Sequence, residues 1–201
     1  MSSMYDIPKT PQRIRERIRR YERKLEREKE ESGMVHDGAG KRYFLGPLYL
    51  LMDDLDGALE SFRWFEKEFP DDGGEPGHCL SWALALYRSG DYEAAKQKLR
   101  EAMLTNLYMI PRLLDQEVEE IDMWHGSNDE EPRYLDDMPP EFFSLWDEDA
   151  LRWAARLYHG EELQAVATRY IEIHRRLLGL PRGAERSRLV NEAWALRRPH
   201  A

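Results

Sequence analysis

The chain has 201 residues, of which 41% are hydrophobic and 34% charged, and its formal net charge is −9. This composition is too apolar for a disordered chain, and its acidity argues against nucleic acid as a partner. A single cysteine excludes an intramolecular disulfide framework, and the absence of an apolar signal core or a long apolar run predicts a cytoplasmic protein without a membrane span.

Charge is distributed unevenly along the chain. Residues 9–31 carry ten basic and six acidic residues, whereas 115–149 carry fourteen acidic residues and one arginine. Either the basic segment lies beside the acidic one, or the two segments meet partners of opposite charge. We favour the first interpretation, with both segments otherwise solvated.

The first predicted element is an amphipathic charged helix over 10–33, which follows a flexible tail at 1–9. Thr10 supplies an N-cap hydroxyl, Pro11 suits the first helical position, and Gly33 ends the helix. Apolar residues form one narrow stripe at helical spacing: Ile14, Ile18, Tyr21 and Leu25. We predict that this stripe packs on the next helices; the alternative is a helix that binds a partner or dimerises.

Two pairs of short helices are predicted next, over 34–114. After a glycine-punctuated turn, the first pair has helix A at 41–52 and helix B at 56–69, and Pro70 blocks further helix. Residues 71–78 form a loop, and the second pair follows at 79–106. Strand signals are nearly absent, so the fold class is all-α.

These two units resemble the tetratricopeptide repeat (TPR) family, whose unit is a helix–turn–helix of about 34 residues. The matching positions of the first unit are Leu45, Gly46, Tyr49, Ala58, Phe62 and Pro70. Those of the second are Trp82, Ala83, Leu86, Ala95, Leu99 and Ala102. The chain departs from the consensus at Arg42 and Phe65, and the second unit lacks the final proline. The resemblance implies TPR-like stacked helical hairpins, a short α-solenoid, with an N-terminal helix and a helical C-terminal extension.

The remaining chain is predicted to hold an acidic insertion at 115–146 and a degenerate TPR-like hairpin with a capping helix at 147–201. Five of eight residues are identical between Leu80–Tyr87 and Leu151–Tyr158, which indicates the third, degenerate unit. The insertion is rich in large apolar side chains, so we expect part of it to fold back onto the helices.

No catalytic or metal-binding pattern stands out. His78 and Cys79 are adjacent and so do not face each other on a helix, and the six histidines lack zinc-ligand spacing. We therefore predict neither an enzyme nor a cofactor or metal.

The predicted function is a non-catalytic protein–protein interaction module or adaptor of the TPR type, whose partner is an unidentified protein or peptide. One TPR subgroup grips a C-terminal carboxylate with Lys and Asn side chains of its A helices, and this chain has apolar or aromatic residues at those places. We expect an apolar groove that prefers a hydrophobic segment. Its candidate contacts are Tyr43, Pro47, Leu50, Leu80 and Leu84.

The alternative is a regulatory small-ligand-binding protein or an enzyme subunit, with a pocket between the acidic insertion and the C-terminal helices. Its candidate residues are Asp122, Trp124 and His125.

Overall fold

A computed structural model describes residues 6–198. Within this range the chain is helical and has no strand, which confirms the all-α prediction. The α-helices are α1 Pro11–Ser32, α2 Arg42–Leu50, α3 Leu55–Glu68, α4 Pro76–Ser89, α5 Tyr92–Thr105, α6 Met109–Leu113, α7 Pro140–Ser144, α8 Glu148–Tyr158, α9 Glu161–Leu177 and α10 Ala184–Arg197; short 3-10 helices span Asn128–Glu130 and Pro132–Asp136. Most of the predicted tail at 1–9, and the last three residues of the predicted 147–201 segment, lie outside the described residues.

Local capping sets the ends of α1. The Thr10 hydroxyl accepts a hydrogen bond from the Arg13 N–H at 3.4 Å, and the N–H of Gly33, at φ 78°, donates to the Lys29 carbonyl. The four residues of the predicted apolar stripe are all buried, and α1 packs mainly on α2. The prediction that this helix packs within the chain is thereby confirmed.

Helices α2 to α5 form two packed hairpins. Asp54 and Asp91 each accept a hydrogen bond from a backbone N–H in the first turn of α3 and α5. The hairpins are joined by the stacked rings of Phe62 and Trp82, whose centroids lie 5.2 Å apart. Helix α4 begins earlier than predicted, because Pro76 occupies its first turn and shortens the preceding loop.

The chain between α5 and α8 folds over the hairpins. Its buried side chains include Met109, Ile110, Met123, Leu135, Met138, Phe142 and Trp146. The Asn106 side-chain amide donates to the carbonyls of Asp129 and Glu131 at 2.7 and 3.0 Å, which fixes the path of the insertion. Part of the acidic segment therefore folds back onto the helices, as expected from the sequence.

Helix α10 lies against α9 and α5 and returns towards the start of α4. Arg197 Nη2 donates to the carbonyls of Gly73 and Gly74, at 3.1 and 3.2 Å. Arg100 on α5 donates to the Leu196 carbonyl at 2.6 Å. The predicted capping helix therefore bridges two parts of the molecule.

Candidate functional site: a groove between α1 and α3

A groove of about 740 Å³ runs between α1 and α3. Its floor combines buried Leu25 and Leu45 with the partly exposed rings of Tyr49 and Trp64. The groove exists because the apolar stripe of α1 is directed at α2, and α3 therefore keeps one flank uncovered.

The two walls are held in place at defined points. Lys29 Nζ on α1 forms a 2.5 Å salt bridge with Glu68 on α3, and the Tyr49 hydroxyl donates a short hydrogen bond to Glu22. Burial and this hydrogen bond raise the pKa of Tyr49, so the phenol remains a donor at neutral pH. At Gly57 a Cβ atom would lie 2.6 Å from the Tyr49 ring, so this glycine allows α3 to start close to α2.

A polar atom on the floor lacks a protein partner. Ser61 of α3 is only 8% exposed, and its buried Oγ makes no hydrogen bond among the described residues. A buried hydroxyl without a partner destabilises a fold by about 1–3 kcal/mol. Ser61 lines the groove, which places this unpaired polar group in the floor of the site.

The α1 wall is charged along its whole length. The residues that line the groove from this side are Glu16, Arg19, Glu22, Arg23, Glu26 and Lys29. Glu60 of α3 lines the opposite wall. An apolar floor between charged walls is the arrangement of a site for an amphipathic segment.

The groove predicted from the TPR resemblance is not open in this conformation. Leu50, Leu80 and Leu84 are 2%, 0% and 0% exposed, and Pro47 is also buried. Tyr43 is partly exposed, and its hydroxyl donates to Asp72 at 2.8 Å. Binding of a partner to these side chains would require movement of the residues that bury them.

The acidic insertion supplies one of the side chains that cover this face. Phe142 of α7 lies against Phe44 with 6.0 Å between ring centroids, and it comes so close to Gly77 that a Cβ there would be 3.2 Å away. Gly77, Leu80 and Leu84 are spaced along one face of α4. The chain therefore places its own aromatic residue on the surface where a partner segment was predicted.

The residues of the alternative site are attached to α9. The backbone N–H of Trp124 donates to the backbone carbonyl of His174 at 3.2 Å, and the Trp124 carbonyl lies 2.8 Å from His174 Nδ1. Arg186 of α10 lies over the Trp124 indole. The Asp122 carbonyl accepts a hydrogen bond from Arg175, and a buried ring nitrogen of His125 has no hydrogen-bond partner within residues 6–198. These contacts anchor the insertion to the C-terminal helices.

A second polar cluster lies at the start of α4. Burial raises the pKa of Glu75 to about 7, against the hydrogen bond from Tyr134, and the Asp129 carboxylate raises it further. His78 is fully enclosed by aromatic rings, and burial lowers its pKa to about 3. Burial also raises the pKa of Cys79 to about 11, which keeps the thiol protonated and unreactive at neutral pH. This cluster is packed inside the fold, and its contacts are typical of residues with a structural role.

Residues 6–198 contain no helix that is both long and apolar enough to cross a membrane. The same range contains no group of three or more His, Cys, Asp or Glu side chains arranged to hold a metal ion.

Comparison with known proteins identified no relative of this chain. No protein-family model, no curated protein and no solved structure matches the chain. Its function is therefore inferred from its own residues and their geometry.

Sequence reasoning missed the groove between α1 and α3, although part of the signal was visible. The polar serine at position 61 interrupts the apolar pattern of helix B, and the charged stripe of α1 repeats every three or four residues. What the sequence did not reveal is that α1 would cover α2 and leave a flank of α3 open.

Proposed function

We propose that this chain is a non-catalytic interaction module, built on TPR-like helical hairpins, that binds a helix of a partner protein between α1 and α3. The observation that carries the proposal is the open groove of about 740 Å³, with its apolar floor and charged walls. The volume is in the range of sites that enclose several side chains.

Two contacts support the TPR-like interpretation of the hairpins. A Cβ at Gly46 would lie 2.3 Å from Phe62, so this pair of signature positions requires glycine for the close approach of α2 and α3. Phe62 then stacks on Trp82, which occupies the equivalent of Leu45 in the second unit. Both contacts join residues that the TPR pattern singles out.

A helix suits this groove better than an extended peptide. Both walls are helices, whose backbone N–H and C=O groups are already bonded within the helix, so neither offers a ladder to an extended chain. A helix brings its own backbone hydrogen bonds and needs only an apolar stripe for the floor. From Glu16 to Lys29 the α1 wall is about 20 Å long, which corresponds to roughly three to four helical turns of a ligand.

The walls also define the charge of the ligand. The α1 wall alternates acidic and basic residues and therefore has no single sign. A complementary helix carries both signs on its flanks and, between them, apolar residues or the aliphatic stems of long basic side chains.

Selection of helical peptides on the immobilised protein tests this proposal. Peptides that display an apolar stripe with mixed charged flanks should be enriched, and their chemical-shift effects should map to α1 and α3. Ser61→Phe fills the floor and should abolish binding of the selected peptides. Arg63→Phe is the matched control, because it adds the same side chain to an exposed position of α3 outside the groove.

Unchanged binding by Ser61→Phe, when its circular dichroism matches that of the original chain, would overturn the proposal. Chemical-shift effects confined to α8–α10 would also overturn it.

A further inference from the structure

The charged wall of α1 has a regular internal order. Taken along the helix, its signs alternate: Glu16 negative, Arg19 positive, Glu22 negative, Arg23 positive, Glu26 negative and Lys29 positive. The spacings are symmetric about the midpoint between Glu22 and Arg23, whereas the charges are reversed across it. A stripe of this kind is complementary to itself when it is turned end for end.

We propose that the helix bound in the groove is α1 of a second copy of this chain, paired antiparallel about a two-fold axis next to Glu22 and Arg23. The inference rests on the proposed function, since it needs a helix-binding groove between α1 and α3. Antiparallel pairing brings opposite charges together in three contacts, each made twice by symmetry: Glu16 with Lys29, Arg19 with Glu26, and Glu22 with Arg23.

The pattern also disfavours three competing arrangements. A parallel, in-register pair places each charge opposite its own copy. An antiparallel pair shifted by three residues places Glu16 opposite Glu26 and Arg19 opposite Arg23, or, in the other direction, Glu22 opposite Glu26 and Arg19 opposite Lys29. Like charges at these contacts disfavour these three arrangements relative to the symmetric antiparallel pair.

Three of the six charges, Arg19, Arg23 and Glu26, are available for pairing, whereas Glu22 and Lys29 already bond Tyr49 and Glu68 within the chain and exchange these partners on dimerisation. Within the described part of the chain, the side chains of Arg19 and Glu26 make no hydrogen bond or ion pair. Arg23 donates its Nε only to the Arg19 carbonyl of its own helix. Arg19, Arg23 and Glu26 are all exposed.

The groove floor gives the second helix an apolar contact in addition to its charges. The aliphatic stems of its arginines and lysines lie over Tyr49 and Trp64, as long basic side chains commonly cover aromatic rings. The apolar stripe of each α1 remains on its own α2, so dimerisation does not disturb the fold of either copy.

Charge reversal and charge swapping test the inference on the full-length chain. Sedimentation equilibrium should show a dimer that weakens at high salt, because its contacts are exposed ion pairs. Arg19→Glu creates two repulsive contacts and should raise the dimer Kd by about tenfold. The double variant R19E/E26R restores opposite charges and should return Kd to within about threefold of the original value.

Arg27→Glu is the matched control, because it makes the same change of charge on an exposed position of α1 that does not line the groove. It should leave Kd within about twofold of the original. An equal loss in Arg27→Glu and Arg19→Glu would overturn the inference, since net charge alone would then explain the effect.

Cross-linking gives a second readout. Arg23→Cys places a thiol beside the two-fold axis, and mild oxidation should link two chains through it; the native thiol of Cys79 is buried. Arg27→Cys lies away from the axis and should stay unlinked. Equal cross-linking of both variants would contradict the pairing.

Failure of this inference can be distinguished from failure of the proposed function. A chain that is monomeric up to about 0.5 mM, yet still binds selected helical peptides that Ser61→Phe abolishes, overturns only the second-copy assignment. A chain that neither dimerises nor binds such peptides overturns both.

Discussion

The Tyr134 hydroxyl donates a 3.0 Å hydrogen bond to the carboxylate of Glu75 and so ties the 3-10 helix at 132–136 to the start of α4. The carboxylate is largely buried, and this burial raises its pKa to about 7, from a usual value of 4.5. The joint between the insertion and the second hairpin therefore contains a group that changes charge near neutral pH.

Glu75→Gln should stabilise the fold at high pH. Because the folded pKa is the higher one, the folded state holds the proton more tightly, and its contribution to stability is lost as pH rises from about 4.5 through about 7. Glutamine cannot ionise, so the variant should be more stable than the original chain by about 1–3 kcal/mol at pH 8 and equal to it near pH 4.5. Urea unfolding at the two pH values measures the difference.

Glu119→Gln, at an exposed position of the insertion, is the control and should show no such pH-dependent gain. If Glu75→Gln is destabilising at pH 8, Glu75 does not carry the buried charge inferred here.

His78 should make the protein sensitive to acid. Its folded pKa of about 3 lies below the usual 6.5, so the unfolded state takes up the proton first and stability falls as pH decreases from about 6.5 towards 3. The expected slope from this residue is about 1.4 kcal/mol per pH unit. His78→Asn should lower stability at pH 7 through lost packing, and between pH 6 and pH 4 it should remove a loss of about 1.4 kcal/mol per pH unit that the opposite titration of Glu75 partly masks in both chains.

The slope is measured by denaturant unfolding, and His36→Asn, at an exposed position, is its control. Burial lowers the pKa of His174 as well, so part of the slope should remain in His78→Asn. A slope identical to that of the original chain would contradict this account of His78.

Gly46→Ala should destabilise the first hairpin. The added Cβ would lie 2.3 Å from Phe62, a fully buried ring that stacks on Trp82 and has little room to move. Overpacking of this kind costs about 1–3 kcal/mol, which outweighs the better helix propensity of alanine. Gly38→Ala is a matched control, because no atom lies within 4 Å of the added Cβ there, and thermal unfolding should show it to be nearly neutral.

Phe142→Ala should loosen the insertion from the hairpins. Phe142 is 3% exposed and packs on Phe44 and Gly77, so its truncation should cost about 3–5 kcal/mol. Hydrogen exchange should increase in 128–144 and at the start of α4 before it increases in α9. Phe143→Ala, at a partly exposed neighbouring position, should have a smaller effect. Equal effects of the two substitutions would argue against a specific packing site for Phe142.

Local chemistry predicts the helices well because their ends depend on nearby residues. Helix α1 is capped at its two ends by Thr10 and Gly33, and α3 and α5 are capped at their starts by Asp54 and Asp91. Each of these hydrogen bonds spans only a few residues. The sequence predicts a loop at Pro76, whereas the structure has this proline in the first turn of α4, a position that proline also favours.

The candidate site was harder to predict because it depends on contacts between distant parts of the chain. Phe142 of the insertion contacts Phe44 on α2 and Gly77 on α4 across a long sequence separation. Likewise, the Ser61 hydroxyl, which has no partner among the described residues, can be assigned to a groove only when the packing of α1 on α2 is known. Neither relationship is encoded in the periodicity of a single helix.

The return of α10 to the loop before α4 has a consequence for folding. In a linear array each unit touches only its neighbours, so such proteins can nucleate anywhere and lose end units one at a time. Here Arg197 donates hydrogen bonds to the carbonyls of Gly73 and Gly74, and Arg198 donates to that of Pro70. Helix α10 and the residue after it therefore contact the segment that follows the first hairpin. This long-range contact raises the contact order, slows folding and couples the unfolding of α10 to that of the first hairpin.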